Sequence, residues 1–256
     1  MKYSIIFPYR NREEHLNINL PQIKKIFAET DHEIIIVEQN DNLPFCRGTL
    51  FNIGANSSNG DILILHDVDY YPTDDVEYYD NKSDVFLPVQ YATFCYNNLT
   101  PKPINEVPAG YQHFKNGVDS RIGKRVGEQP FFGAIEVIKK EIFFKINGFD
   151  SKLRGWGNED SILRERAIYY NYTWHRHPTN QFLVLDHPDS GPPAGDNNFI
   201  NNASRSQNWK RYLNDGLNNQ KATIEEITPK HQLVDKWILA AEFDEKVETH
   251  IITSTF

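Results

Sequence analysis

The 256-residue sequence predicts an α/β fold, a central and mostly parallel sheet flanked by helices. Three observations lead there. Short apolar runs alternate with amphipathic stretches over the first part of the chain. The runs are continuous rather than alternating, as in strands covered on both faces. The third run ends in two aspartates, at the strand end where open parallel sheets bind their ligands.

Lys2–Phe7 reads as the first strand, and Glu14–Phe27 as a helix carrying Leu16, Leu20, Ile23 and Phe27 on one face. Glu33–Glu38, with Ile34-Ile35-Ile36-Val37, is a second buried strand. Arg47–Asn56 is a helix with Leu50, Phe51 and Ile53 on its apolar side, and Asp61–Leu65 is the third strand. Beyond Asp84 the character changes. Val85–Val89 is strand-like, residues 97–128 read as loop, and Phe131–Ile138 is apolar again. A helix over Lys139–Ile146 stops at Asn147-Gly148, and a helix over Glu159–Tyr170 starts with Asn158 as its cap. After the apolar run Phe182–Leu185, residues 187–204 read as a long polar loop, mobile by its length and composition. Residues 205–217 read as helical, and the C-terminal stretch as a short helix with one or two edge strands. No repeat or domain boundary is visible. The expectation is one domain over 1–256, with residues 1–70 and 84–256 as its two halves.

The bulk numbers narrow the function. A net charge of −8 without a Lys/Arg cluster argues against nucleic acid. No apolar run is long enough to span a bilayer, and Met1–Pro8 is too short for a signal peptide. Cys46 and Cys95 cannot form a disulfide framework or a four-thiolate zinc site. A cytoplasmic location is expected, with peripheral contact at the inner face of a membrane left open.

Three segments carry chemistry. Asp67-Val68-Asp69 directly follows a buried strand; on an extended end both carboxylates point to one side, where Mg²⁺ or Mn²⁺ could collect one or both. His175, His177 and His187 are candidate imidazole ligands, which would favour Mn²⁺, and His187 opens the long loop. In Gly155-Trp156-Gly157-Asn158-Glu159-Asp160, the acids either cap the next helix through its dipole or include a general base. The glycines would let Trp156 swing as a lid over a sugar. Together these are the parts a nucleotide-sugar transferase requires.

With these residues assembled, the chain resembles the β-1,4-galactosyltransferase family of inverting glycosyltransferases. Phe7-Pro8-Tyr9-Arg10-Asn11-Arg12-Glu13-Glu14-His15-Leu16 resembles the family's P-F/Y-R-N-R-x-x-H-L. Phe45-Cys46-Arg47 with Leu50-Phe51-Asn52-Ile53-Gly54 resembles F-N-R-A-x-L-x-N-x-G, and Asp67-Val68-Asp69 its D-V-D. Phe131-Phe132-Gly133-Ala134 is similar to Y-F-G-G. Phe143–Phe149 followed by Gly155–Asp160 is similar to F-x-x-I-N-G-F…G-W-G-G-E-D, and Asn214–Asn218 to S-D-G-L-N.

The resemblance implies a GT-A type, Rossmann-like fold that binds a nucleotide sugar. It implies Asp69 and His187 as ligands of Mn²⁺, with Mg²⁺ as the alternative, Asp160 as catalytic base and Glu159 on sugar hydroxyls. Pro8, Tyr9, Arg10, Arg12, Phe45, Arg47, Asp67, Val68, Phe131, Gly133 and Trp156 would line the UDP-sugar site. Phe131 stands where the family commonly has a tyrosine that limits the donor's C2 substituent, so galactose and N-acetylgalactosamine are both open. Animal members carry a membrane anchor and stem; this chain begins at its first strand, which implies a soluble bacterial or viral form acting on a glycan or glycolipid. The rival readings are a glycan- or nucleotide-binding module without catalysis, a UDP-glucose or UDP-N-acetylglucosamine transferase of the same fold, and a hydrolase using Asp67 as nucleophile. The last would want a lysine and further acids at later strand ends, and the sequence offers no clear set.

Overall fold

A computed structural model describes residues 1–79, 83–106, 133–155, 157–186 and 197–243; Phe131, Trp156 and His187 lie outside these. The described elements begin β1 (Tyr3–Tyr9), α1 (Glu13–Ile26), β2 (His32–Gln39), α2 (Arg47–Ser57), β3 (Ile62–His66) and β4 (Tyr70–Pro72). They continue with β5 (Val85–Leu87), β6 (Tyr91–Cys95), β7 (Ile135–Lys139), α3 (Lys140–Lys145), α4 (Glu159–Tyr169) and β8 (Trp174–Arg176). β9 (Gln181–Leu185), α5 (Asn197–Gln207), β10 (Thr223–Ile227) and β11 (Lys236–Ala241) complete them.

The main sheet has the order β10-β11-β2-β1-β3-β7-β5-β8, and a small sheet the order β4-β9-β6. β11, β2, β1 and β3 run parallel, while β7 enters antiparallel to both β3 and β5. The chain therefore has the expected α/β architecture, a central and mostly parallel sheet flanked by helices. Continuous apolar strands divide between two layers: Ile5, Phe7, Ile34 and Ile36 face α1, while Ile6, Ile35 and Val37 face α2. Close packing of α2 depends on Gly54, where an added Cβ would lie 2.3 Å from the Ile6 side chain.

Several expectations are corrected. Residues 197–207 form α5 rather than a loop. Among its described side chains the buried ones are Asn202 and Arg205, polar residues that a search for apolar runs does not register. Helix does not continue to Leu217; a short 3-10 turn, Trp209–Tyr212, follows instead. Among the described residues of the C-terminal stretch β10 is the edge strand, for β11 inserts between it and β2 with Trp237, Ile238 and Ala240 buried. No helix of the described residues is long and apolar enough to cross a membrane. Both cysteines are free and buried.

Candidate active site

The site forms where β3, β7, α2 and α4 converge. Arg47, in the first turn of α2, lies 4.7 Å above the Phe51 ring and 5.8 Å from that of Phe149. Its guanidinium meets four acids from three other segments. Nε donates to Asp67 Oδ1 at 2.6 Å and Nη1 to Asp160 Oδ1 at 2.5 Å. Nη2 reaches Glu136 Oε2 at 3.5 Å, and Nη1 lies 3.9 Å from Glu159 Oε1. Asp67 follows β3, Glu136 lies within β7, and Glu159 and Asp160 open α4, where a helix N-terminus favours acids.

One guanidinium cannot neutralise four carboxylates in a site this enclosed. Burial raises the pKa values of Asp67, Glu136 and Glu159 to about 7, against the pull of Arg47. Asp160 is held well above the usual carboxylate range, by burial first and by the facing Glu136 as well. Burial also works against charge on Arg47, but Asp160, Asp67, Glu136 and Glu159 outweigh it and hold its pKa well above the ordinary value. The cluster thus keeps protons at neutral pH and is suited to exchange them.

The D-V-D segment is a turn, not a strand end, with Tyr70 N–H donating to Asp67 O at 3.2 Å. Strand alternation therefore does not set the direction of its two carboxylates. Polar residues of α1 brace it and the segment beside it: Asn19 Nδ2 donates to Val68 O at 2.7 Å, and His15 Nε2 to Asp186 O, just past β9, at 2.9 Å. His66 Nδ1 donates to Asp67 O while Nε2 accepts from the Tyr78 hydroxyl, and burial lowers its pKa to about 4, so it is neutral. Leu185 N–H donates to Asp69 O at 2.8 Å, tying the end of β9 to the turn.

Among the described residues no group of three or more His, Cys, Asp and Glu side chains is disposed to hold a metal. Asp69 in the turn is nonetheless the kind of donor a divalent cation takes. Asp69 offers carboxylate oxygen, and the β9 segment bonded to it leaves the described region at Asp186, one residue before His187. Carboxylate with imidazole suits Mn²⁺ better than Mg²⁺. His175 and His177 lie elsewhere: His175 stacks on Phe86, and His177 Nδ1 accepts from Asn180 N–H in a turn.

The other predicted residues are distributed as follows. Pro8 and Tyr9 are buried at the end of β1, with the Tyr9 ring 5.6 Å from Trp237. Arg10 donates to Leu43 O at 2.6 Å and lies 5.3 Å above the Phe45 ring. Phe45 O accepts from Gly155 N–H at 2.9 Å, joining the Arg47 segment to the turn before α4. Arg12 is the half-buried residue before α1. Gly133 (φ 152°) precedes Ala134, whose carbonyl accepts from Asp67 N–H at 3.0 Å. Asn158 precedes α4 but makes no capping bond; it supplies a left-handed residue at φ 72° where the family motif has glycine. Sequence reasoning missed Glu136. Its signal was a lone acid inside the apolar strand Ile135-Glu136-Val137-Ile138.

Fold and comparisons together define the class as a GT-A type fold. The structure superimposes on the catalytic domain of Drosophila β-1,4-galactosyltransferase 7 in complex with xylobiose, with a TM-score of 0.65 and 20% identity over 94% of this chain and 92% of that one. A mutant of the same enzyme in complex with manganese, UDP-Gal and xylobiose gives a TM-score of 0.62 at 18% identity, with the same coverages. Residues 1–82 match the N-terminal region of glycosyl transferase group 7, and residues 113–188 the N-terminal domain of galactosyltransferase. Human β-1,4-galactosyltransferase 6 is 30% identical over 230 residues, which is 85% of this chain and 51% of the relative. The chain belongs to the β-1,4-galactosyltransferase family, glycosyltransferase family 7. It spans about half the length of the curated relatives it matches.

Proposed function

We propose that this chain is a metal-dependent inverting glycosyltransferase that moves galactose or N-acetylgalactosamine from a UDP-sugar to a hydroxyl of a glycan or glycolipid acceptor. The observation that carries the reading is the Asp160 carboxyl: it is 19% accessible, bonded to Arg47, and raised in proton affinity among Glu136, Glu159 and Asp67. A base must hold a proton readily at the operating pH, and this setting gives a carboxylate that capacity. In the relative bound to manganese, UDP-Gal and xylobiose, the fold holds donor and sugar together, which favours a transfer between two sugars here.

Asp160 takes the proton of the acceptor hydroxyl as that oxygen forms its bond to the anomeric carbon. The bond from that carbon to the UDP oxygen breaks on the opposite face, so the configuration inverts. Arg47 fixes the Asp160 carboxylate in one orientation, and Glu159 is placed beside it for sugar hydroxyls. Asp69 and His187 would hold Mn²⁺, which when bound neutralises the diphosphate. Phe131 and Trp156 belong to the donor side of this reading, as do Arg10, Arg12, Phe45 and Gly133. A cytoplasmic site of action, at the inner face of the membrane for a glycolipid acceptor, goes with it.

The test is UDP release with Mn²⁺ or EDTA across UDP-Gal, UDP-GalNAc, UDP-Glc and UDP-GlcNAc, with a panel of acceptor sugars. Release from one donor that needs Mn²⁺ and rises with an acceptor is expected. Asp160→Asn should then lose about 10²–10⁴-fold in turnover while still binding UDP with Mn²⁺. Near-normal turnover in that variant would sink the assignment of the base. UDP binding with no release from any donor and acceptor pair would favour a binding module.

A further inference from the structure

Glu136 is fully buried within β7, between Ile135 and Val137. An ionised carboxylate there is costly unless its oxygens are paired. Arg47 Nη2 reaches Oε2 at a long 3.5 Å, while Oε1 is buried with no conventional partner. The neighbouring nitrogen of the same guanidinium, Nη1, holds the Asp160 carboxyl at 2.5 Å, so the two carboxyls lie side by side on Arg47. Two carboxyl groups so placed bond only when a proton lies between them. Sharing one gives the pair a hydrogen bond and removes one of the charges that Arg47 cannot neutralise.

We propose that Glu136 is a positioning residue of the transfer reaction, which holds the Asp160 carboxyl through a shared proton and leaves Asp160 the oxygen that deprotonates the acceptor. This rests on the reading of Asp160 as base. The pair holds one proton, which at rest favours Asp160 and passes to Glu136 as the acceptor hydroxyl is deprotonated. The acceptor O–H bond breaks and its proton passes to Asp160, while the oxygen's electron pair forms the new bond to the anomeric carbon. UDP departs with the electrons of the old bond, and the doubly protonated pair returns one proton to solvent after the product leaves. Carboxyl pairs that share one proton because both cannot ionise at close range are an established device for general acid–base chemistry. The charged groups facing Asp160 are Arg47 from α2, Asp67 after β3, Glu136 from β7 and Glu159 beside it on α4. Of these, Glu136 is the one with no exposure to solvent.

The experiment is kcat and KM against pH for Glu136→Gln, using the donor and acceptor that give the highest UDP release in the panel above. The amide keeps the shape but donates permanently to an ionised Asp160 and removes a neighbouring negative charge. Asp160 becomes a weaker base. The expected result is a fall in kcat of about tenfold or more, a donor KM within about threefold of wild type, and an acid limb moved to lower pH. A purely structural Glu136 would lower the melting temperature without moving that limb. Wild-type kcat with an unmoved limb in a folded Glu136→Gln protein overturns the inference. Should that variant not fold, Glu136→Asp decides, since it can still share a proton: reduced kcat with the limb near its wild-type place is expected, and undiminished kcat overturns it. Asp160→Asn run alongside separates the two claims. Its near-normal turnover removes the base assignment, whereas its loss beside an unaffected Glu136→Gln removes only the role of Glu136.

Discussion

Arg47 and Arg205 are both largely buried arginines that hold carboxylates, yet their surroundings are opposite. Arg205 forks onto Asp150 through Nε at 3.0 Å and Nη2 at 2.7 Å, and reaches Asp215 at 2.7 Å. Beside it Arg166, wholly buried, donates to the carbonyls of Asn147, Gly148, Tyr212 and Asp215. Two guanidiniums thus meet two aspartates and a set of orphan carbonyls. Burial alone would raise Asp215, but hydrogen bonds from Arg205 and Asn219 hold its pKa below the usual value, while the more deeply buried Asp150 stays raised by burial against the pull of Arg205. At Arg47 four acids share one cation, and burial leaves three of them at about 7. The matched cluster ties chain segments together; the unmatched one is left to bind, or to take up and release protons.

That difference can be broken by mutation. Arg205→Met leaves Asp150 buried without its partner and should cost about 3–5 kcal/mol in urea unfolding. Arg47→Met should cost less at pH 6 than at pH 8, because its acids can protonate in place. Equal, pH-independent losses in the two variants would erase the distinction between the clusters.

The pH dependence of wild-type stability is a gentler probe. The native pKa values of Glu136 and Glu159 are raised to about 7 from an ordinary 4.5. Between those values the native state holds protons that the unfolded chain has released, so these two groups make stability fall as pH rises to about 7, with no further change above it. Melting temperatures at pH 5.5 and 7.5 without metal check this. Glu136→Gln should flatten the slope, and an unaltered slope would count against the assignment. The smallest effect is expected at Asn158, whose φ of 72° glycine adopts without strain. Asn158→Gly should raise stability by about 0.5 kcal/mol, read from the urea midpoint.

Two kinds of motif are interleaved in this chain, and they were not equally legible. Asn52 in α2 pairs both ways with the Phe149 backbone, through Nδ2 and Oδ1, each at 2.9 Å. Asn147 receives Leu217 N–H on its carbonyl and Asn218 N–H on its Oδ1. A Cβ on Gly216 would come within 2.0 Å of Asn147 O, so that glycine permits the approach. Motifs far apart in the chain therefore meet as one structural hub, a role no spacing could disclose.

The sequence by itself determined the alternating strands and helices of the first half, the family, and the acids at Asp67, Asp69, Glu159 and Asp160. Continuous apolar runs, helical periodicity and residue order along the chain are local properties that survive without folding. Only the tertiary structure decided that Arg47 gathers Asp67, Glu159 and Asp160, that Glu136 joins them from an antiparallel strand, and that the polar residues of 197–207 form a helix. The physical reason is the same each time: burial and pairing depend on partners distant in sequence. The free energy of a charge is set by the groups that surround it and not by its neighbours in the chain.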